Sequence, residues 1–220
     1  PNPTEHTFLR ARGGCFPVAP YIGGPGTRAA MADPGINYTL VVGDADSQDN
    51  DKHIDRTFVD PEEFNRACFN TTYVVKQICL PALVKTIDNI RFDEMEFLTE
   101  VDLSYTSITY IGQGTFLGCK ALKTVRFPAG LASLLESAFG CTALEAVDLS
   151  GTAVKTIDDY VFANCWFLKT VRFPAALEYL GSNAFSGCAA LEAADLSGTR
   201  VNSIMDGVFR HCSSLKVMDL

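Results

Sequence analysis

No apolar run in the sequence approaches the ~18 residues that carry a helix across a bilayer, so no membrane span is expected within it. Basic residues are too few for a nucleic-acid binder: 18 Lys and Arg stand against 26 Asp and Glu. The resulting net charge of -8 repels phosphate, and no nucleic-acid partner is expected. Histidine is scarcer still. His6, His53 and His211 are scattered, and none is placed beside a Ser or Cys nucleophile, which removes the usual general base. CxxC and Cys/His ligand spacings are missing apart from the adjacent His211 and Cys212, so neither a metal nor a cofactor is expected. The chain is read as not an enzyme.

What the sequence does contain is repetition. Cys119 to Ile157 and Cys165 to Ile204 share KTVRFPA and LSGT verbatim, so a unit of about 46 residues has been duplicated. Each unit splits in two. Phe92, Phe116, Phe139, Phe162, Phe185 and Phe209 recur at spacings of 24, 23, 23, 23 and 24 residues, a period that belongs to solenoids, in which each coil contacts only its neighbours. The apolar frame Leu122, Val125, Phe127 sits at strand spacing and recurs from Val75/Ile78/Leu80 to Leu215/Met218/Leu220, which predicts seven short parallel strands, one per repeat of 22–24 residues. After each strand the chain turns, with LSxT at Leu103, Leu149 and Leu196, or with Pro81, Pro128 and Pro174, because proline removes a ladder donor. A second apolar position (Ile87, Ile111, Leu134, Ile157, Leu180, Ile204) and a short helical or irregular segment lead to the phenylalanine.

Residues 1–59 read as a flank and 60–220 as the solenoid. The first 35 are rich in Gly and Pro and form an extended lead-in, whose GGPG run lacks the Gly-Lys-Ser/Thr of a phosphate loop. The chain opens on Pro1 rather than a methionine, which is compatible with a leader ahead of it. Ile36 to Val42 predicts a strand covering the first edge of the array. Gly43 to Asp55 is acidic, but Gln48 and Asp49 spoil the calcium-loop pattern and a solvated loop is expected. Asp60-Pro61-Glu62-Glu63 starts a helix to about Phe69. At the other end Leu220 closes a strand, so a further array or another chain is expected to cover that edge, making it a candidate for edge-to-edge contact.

Five of the eight cysteines, Cys119, Cys141, Cys165, Cys188 and Cys212, fall at one repeat position and predict a column of buried free thiols, because parallel side chains ~5 Å apart cannot close disulfides. A Cys68–Cys79 bridge is compatible with the sequence.

The words AFxxC, CxxLxxVxFP and LxxLG, as in Ala184 to Cys188 and Cys165 to Pro174, resemble the BspA-like, or treponemal-type, leucine-rich repeat family over residues 64–220. The resemblance implies an α/β repeat fold wound as a right-handed solenoid, no catalysis, and adhesion or recognition of a protein ligand, such as a host or cell-surface protein, outside the cell or at its surface. The alternative is an intracellular scaffold subunit. Asn37 and Asn70 head glycosylation sequons that bear on this choice.

Two ladders of alternating charge run along the strands: Asp102, Arg126, Asp148, Arg172, Asp195 and Lys123, Glu145, Lys169, Glu192, Lys216. Alternation turns each like-charge clash into an exposed ion pair worth ~0.2–1 kcal/mol. The ladders set register, or they present a docking face of mixed sign through Arg126, Asp148, Arg172 and Asp195. Trp166 and Phe167 break the small-residue rule of their position, as recognition anchors or as rings filling space beside small neighbours. Tyr105 and Tyr160 are weaker candidates of the same kind.

Overall fold

A computed structural model describes residues 38–44, 54–58, 73–80, 84–87 and 92–219. The lead-in, the expected boundary at residue 59, the helix from Pro61, both sequon asparagines, Cys15, Cys68 and residues 45–53 of the acidic stretch lie outside them.

The seven predicted strands are present as one row, the front face: β3 (Tyr73–Cys79), β4 (Glu100–Asp102), β6 (Thr124–Arg126), β8 (Ala146–Asp148), β10 (Thr170–Arg172), β12 (Ala193–Asp195) and β14 (Val217–Asp219). Ile78 stands beside Val101 and Val101 beside Val125, and Val147 stands beside Val171, all in parallel register. β1 (Tyr38–Asp44) covers the first edge as expected, antiparallel to β3, and β2 (Ile54–Phe58) extends it. Asp44 and Asp55 of the acidic stretch therefore belong to neighbouring strands.

The expected α/β architecture is corrected: the described residues contain no helix. The segment read as helical or irregular, between the second apolar position and the phenylalanine, is turn, and the second apolar position itself lies in a second row of two-residue strands, the back face: β5 (Tyr110–Ile111), β7 (Ser133–Leu134), β9 (Thr156–Ile157), β11 (Tyr179–Leu180) and β13 (Ser203–Ile204). Each full coil thus carries two strands rather than one. Twelve or so residues between front strand and phenylalanine are too few for a helix with its caps, while two residues in extended form continue the coil-to-coil ladder.

Phenylalanine turns close each coil. The rings of Phe92, Phe116, Phe139, Phe162, Phe185 and Phe209 stack at centroid distances of 5.1, 5.1, 5.6, 5.2 and 5.7 Å with nearly parallel planes. Phe127 and Phe173 meet this stack edge-on. A left-handed backbone residue stands two positions before the phenylalanine (Gly114, Ser137, Tyr160, Asn183, Gly207) and another two positions after it (Glu94, Gly118, Cys141, Asn164, Gly187, His211). This conformation aims the amide along the stack: Asn164 N–H donates to the Ser186 carbonyl at 2.7 Å and Cys141 N–H to that of Ala163 at 2.8 Å. The coil-to-coil bond offsets the cost, about 1–2 kcal/mol, of the left-handed region for a side chain other than glycine.

The thiol column is corrected at one position. Cys119, Cys165, Cys188 and Cys212 donate to the carbonyls of Phe92, Phe139, Phe162 and Phe185 at 2.9–3.2 Å. Cys141 instead is exposed. Its coil has five residues from Phe139 to Leu144 where the others have six, so the phenylalanine turn carries Cys141 outward and leaves Thr142 in the column. The Thr142 hydroxyl reaches the Phe139 carbonyl at 2.9 Å and lies 3.2 Å from Cys165 Sγ.

Candidate functional site: the front face and its edge

Three turns of the LSxT type are built alike. Oδ1 of Asp102, Asp148 and Asp195 accepts from both the amide and the hydroxyl of the serine two residues on, Ser104, Ser150 and Ser197, at 2.6–3.0 Å. Thr106, Thr152 and Thr199 hydroxyls donate at 2.7 Å to the leucine carbonyl three residues back. Aspartate is needed because it both ends the strand and satisfies the turn amide. The serine hydroxyls, joined at Asp148 by the Arg172 guanidinium, hold the Asp148 and Asp195 carboxyls below the ordinary carboxylate value.

The charge ladders resolve into discrete couples. Arg126 reaches Glu100 at 2.8 Å and Asp102 at 3.2 Å, Arg172 reaches Asp148 at 3.5 Å, and Lys123 reaches Glu145 at 3.6 Å. In both arginine couples the aspartate precedes its arginine by one coil. The exposed-ladder reading is corrected at Asp102, whose side chain is only 1% exposed. From β4 onward the strand pairing has the same period. β4–β6, β8–β10 and β12–β14 are each paired over three residues, whereas β10–β12 share one bridge and β6 and β8 belong to separate sheets. Both loose seams follow a strand that ends in Arg-Phe-Pro, whose proline has no amide for the ladder, yet β3, which Leu80-Pro81 follows, pairs with β4 over three residues, so a proline alone does not open a seam. The seam after β6 also meets the coil that is one residue short. In the third tight couple, Asp219 stands beside Asp195, so no arginine answers it.

Between the LSxT turns the shorter proline turn leaves a notch of about 320 Å³, lined by Ser150, Arg172, Phe173, Asp195, Gly198 and Thr199. Arg172 and Asp195 thus meet at one site, and Arg172 links it to Asp148. Trp166 and Phe167 lie elsewhere, on the edge where the chain enters β10. They are 62% and 59% exposed, so they project into solvent rather than fill space. Tyr105 lies exposed in the turn after β4, and Tyr160 lies exposed two residues before Phe162, at φ 57°.

Phe97 was missed by sequence reasoning. It is 58% exposed and immediately precedes the strand leucine Leu98, as Phe167 precedes Leu168. Aligning Met95-Glu96-Phe97-Leu98 with Cys165-Trp166-Phe167-Leu168 would have found it. Among the described residues no three His, Cys, Asp or Glu side chains converge as metal ligands, and no helix is long and apolar enough to cross a membrane.

The BspA-type leucine-rich repeat region, in six copies, matches residues 62–192 and 140–220. A leucine-rich repeat protein from Bacteroides ovatus ATCC 8483 superposes with a TM-score of 0.52 at 25% identity, over 69% of this chain and 50% of that one. The T. pallidum leucine-rich repeat protein gives 0.40 at 24% identity, over 66% of this chain and 64% of that one. A leucine-rich cell surface protein from Faecalibacterium prausnitzii A2-165 gives 0.27 at 16%, over 58% and 61%. The chain thus spans half the length of the Bacteroides protein. No curated protein matches it.

Proposed function

The chain belongs to the BspA-type leucine-rich repeat family, and from that premise we propose that it is a non-catalytic protein-recognition module working in adhesion at a cell surface. The family fold is one generally used for protein interaction. The observation that carries the reading is the exposed aromatic edge. Trp166 and Phe167 project from a position that the neighbouring coils fill with Lys120-Ala121, Ala189-Ala190 and Ser213-Ser214, and Phe97 repeats the projection nearer the first coil. Exposed aromatic rings cost solvation unless a partner covers them, and Trp and Tyr dominate the binding energy of interfaces.

Replacing Trp166 and Phe167 together by Ala should lower capture of the physiological partner by at least tenfold while the melting temperature stays within about 2 °C, because neither ring is buried. A matching loss of folding would assign the pair to packing; unchanged capture would remove the edge from recognition. The intracellular-scaffold reading has one observation in its favour, the free and exposed Cys141, since such a thiol persists most readily in a reducing compartment. Glycans on Asn37 or Asn70 of protein isolated from its own cells would decide for the surface.

A further inference from the structure

We propose that the front face binds an extended peptide in polyproline II conformation that carries a basic residue at every third position. The inference rests on the recognition reading but uses a different surface from the aromatic edge.

The duplicated unit spans two coils, so whatever the front face presents, it presents again two coils on. Glu145 and Asp148 form one negative rung, Glu192 and Asp195 the next, with Lys169 and Arg172 between them. Parallel strands lie ~4.7–4.9 Å apart, so like rungs are ~9.4–9.8 Å apart. A partner that reads both must repeat at that distance. Three residues of polyproline II advance ~9.3 Å. Two residues of an extended strand advance ~6.7 Å and fall out of register at once, and seven residues of α-helix advance ~10.5 Å and match the rungs less closely than polyproline II.

Room and sign agree with this partner. Thr124, Ala146, Thr170 and Ala193 form an exposed stripe between the two charge ladders and leave space for a backbone running across the strands. The notch beside Asp195 offers Phe173 to an aliphatic stem and a carboxylate to its charged head. Among the described residues only Ser197 bonds to that carboxylate, through Oδ1. Arg172 leans away toward Asp148. A net charge of -8 attracts a basic peptide and opposes a second copy of the chain. The exposed ion pairs that a peptide would displace are weak.

The test compares fluorescein-labelled (Pro-Pro-Lys)4 with (Pro-Pro-Pro-Lys)4, equal in charge and different in period, by fluorescence anisotropy on the 220-residue chain at low salt. The three-residue spacing should bind at least tenfold tighter. Asp148→Asn with Asp195→Asn should remove that preference, while asparagine Oδ1 keeps the serine hydrogen bonds and an unchanged melt confirms the fold. Equal affinity for the two spacings would reduce the effect to net charge and overturn the proposal, as would preference for (Pro-Pro-Glu)4. A dimer in sedimentation that the same double substitution dissolves would give the face to a second copy instead. Trp166→Ala with Phe167→Ala should leave the anisotropy result unchanged, so failure here and failure of the aromatic edge are separable.

Discussion

The front and back faces of this solenoid are made by the same coils yet are organised differently. On the back, β5 to β13 form one unbroken five-stranded ladder, and the phenylalanines behind it stack without a gap. On the front the ladder is interrupted between β6 and β8 and thin between β10 and β12. The back keeps an aliphatic residue at the second place of each short strand and pairs over two residues at every seam. From β4 onward the front alternates DLSxT with RFP and its seams alternate too, and the ion couples Asp102–Arg126 and Asp148–Arg172 fall at the tight ones. Continuity of the array is therefore a property of the back, and variety is a property of the front.

The sharpest way to break this contrast is Phe139→Ala. The ring is fully buried in the middle of the stack, touching Phe116, Phe162 and the edge of Phe127. Its removal should cost about 3–5 kcal/mol in urea unfolding and split one transition into two, because it cuts the face that ties the coils together. A single transition at nearly unchanged midpoint would show that the front carries the coupling instead.

Next in size is Arg126→Ala. Asp102 is buried and would keep its Ser104 bonds but lose its cation, for a loss of about 1–3 kcal/mol. Asp102→Asn combined with it should recover much of that loss. No recovery would mean that the arginine acts through packing rather than charge.

How far these features could be read beforehand follows from their length scale. The period, the seven front strands and the thiol column rest on many repeated residues, and the covering strand β1 on one apolar β-branched run; apart from Cys141, each was legible. The back strands were not: two extended residues carry too little pattern to distinguish them from a loop, although their apolar member (Ile111, Leu134, Ile157, Leu180) was recognised. Cys141 misled because its distance to Leu144 matches the other cysteines, while the structure keeps its distance from Phe139 and lets Thr142 enter the column. The mixed charges were visible, but their grouping into couples depends on which strand ends in proline, and that needs three dimensions.

The buried thiols give a pH test on the side where the coils meet. Burial pushes Cys119 up to about 12 and Cys165 to about 11 from the ordinary 9.0, and raises Cys188 as well. Because the folded chain holds these protons more tightly than the unfolded one, the thiols' contribution is intact below pH 9 and is lost as pH rises toward 11–12. By pH 10 the loss should approach about 1 kcal/mol per buried thiol. Cys119→Ala should flatten the decline. Ellman's reagent should titrate Cys141 at once and Cys119, Cys165 and Cys188 only on unfolding.

Repairing the short coil should give a gain of similar or smaller size. One residue inserted between Gly140 and Cys141 restores six positions from phenylalanine to strand leucine, and β8 can then slide into register with β6. Glu145 N–H lies 3.5 Å from the Lys123 carbonyl, at the limit of a hydrogen bond, and the loose seam has most to gain there. One well-made bond is worth about 1 kcal/mol, so amide exchange at Val147 should slow roughly fivefold. If the seam stays open, the proline after Phe127 rather than the missing residue is its cause, and Pro128→Ser should close it where the insertion did not.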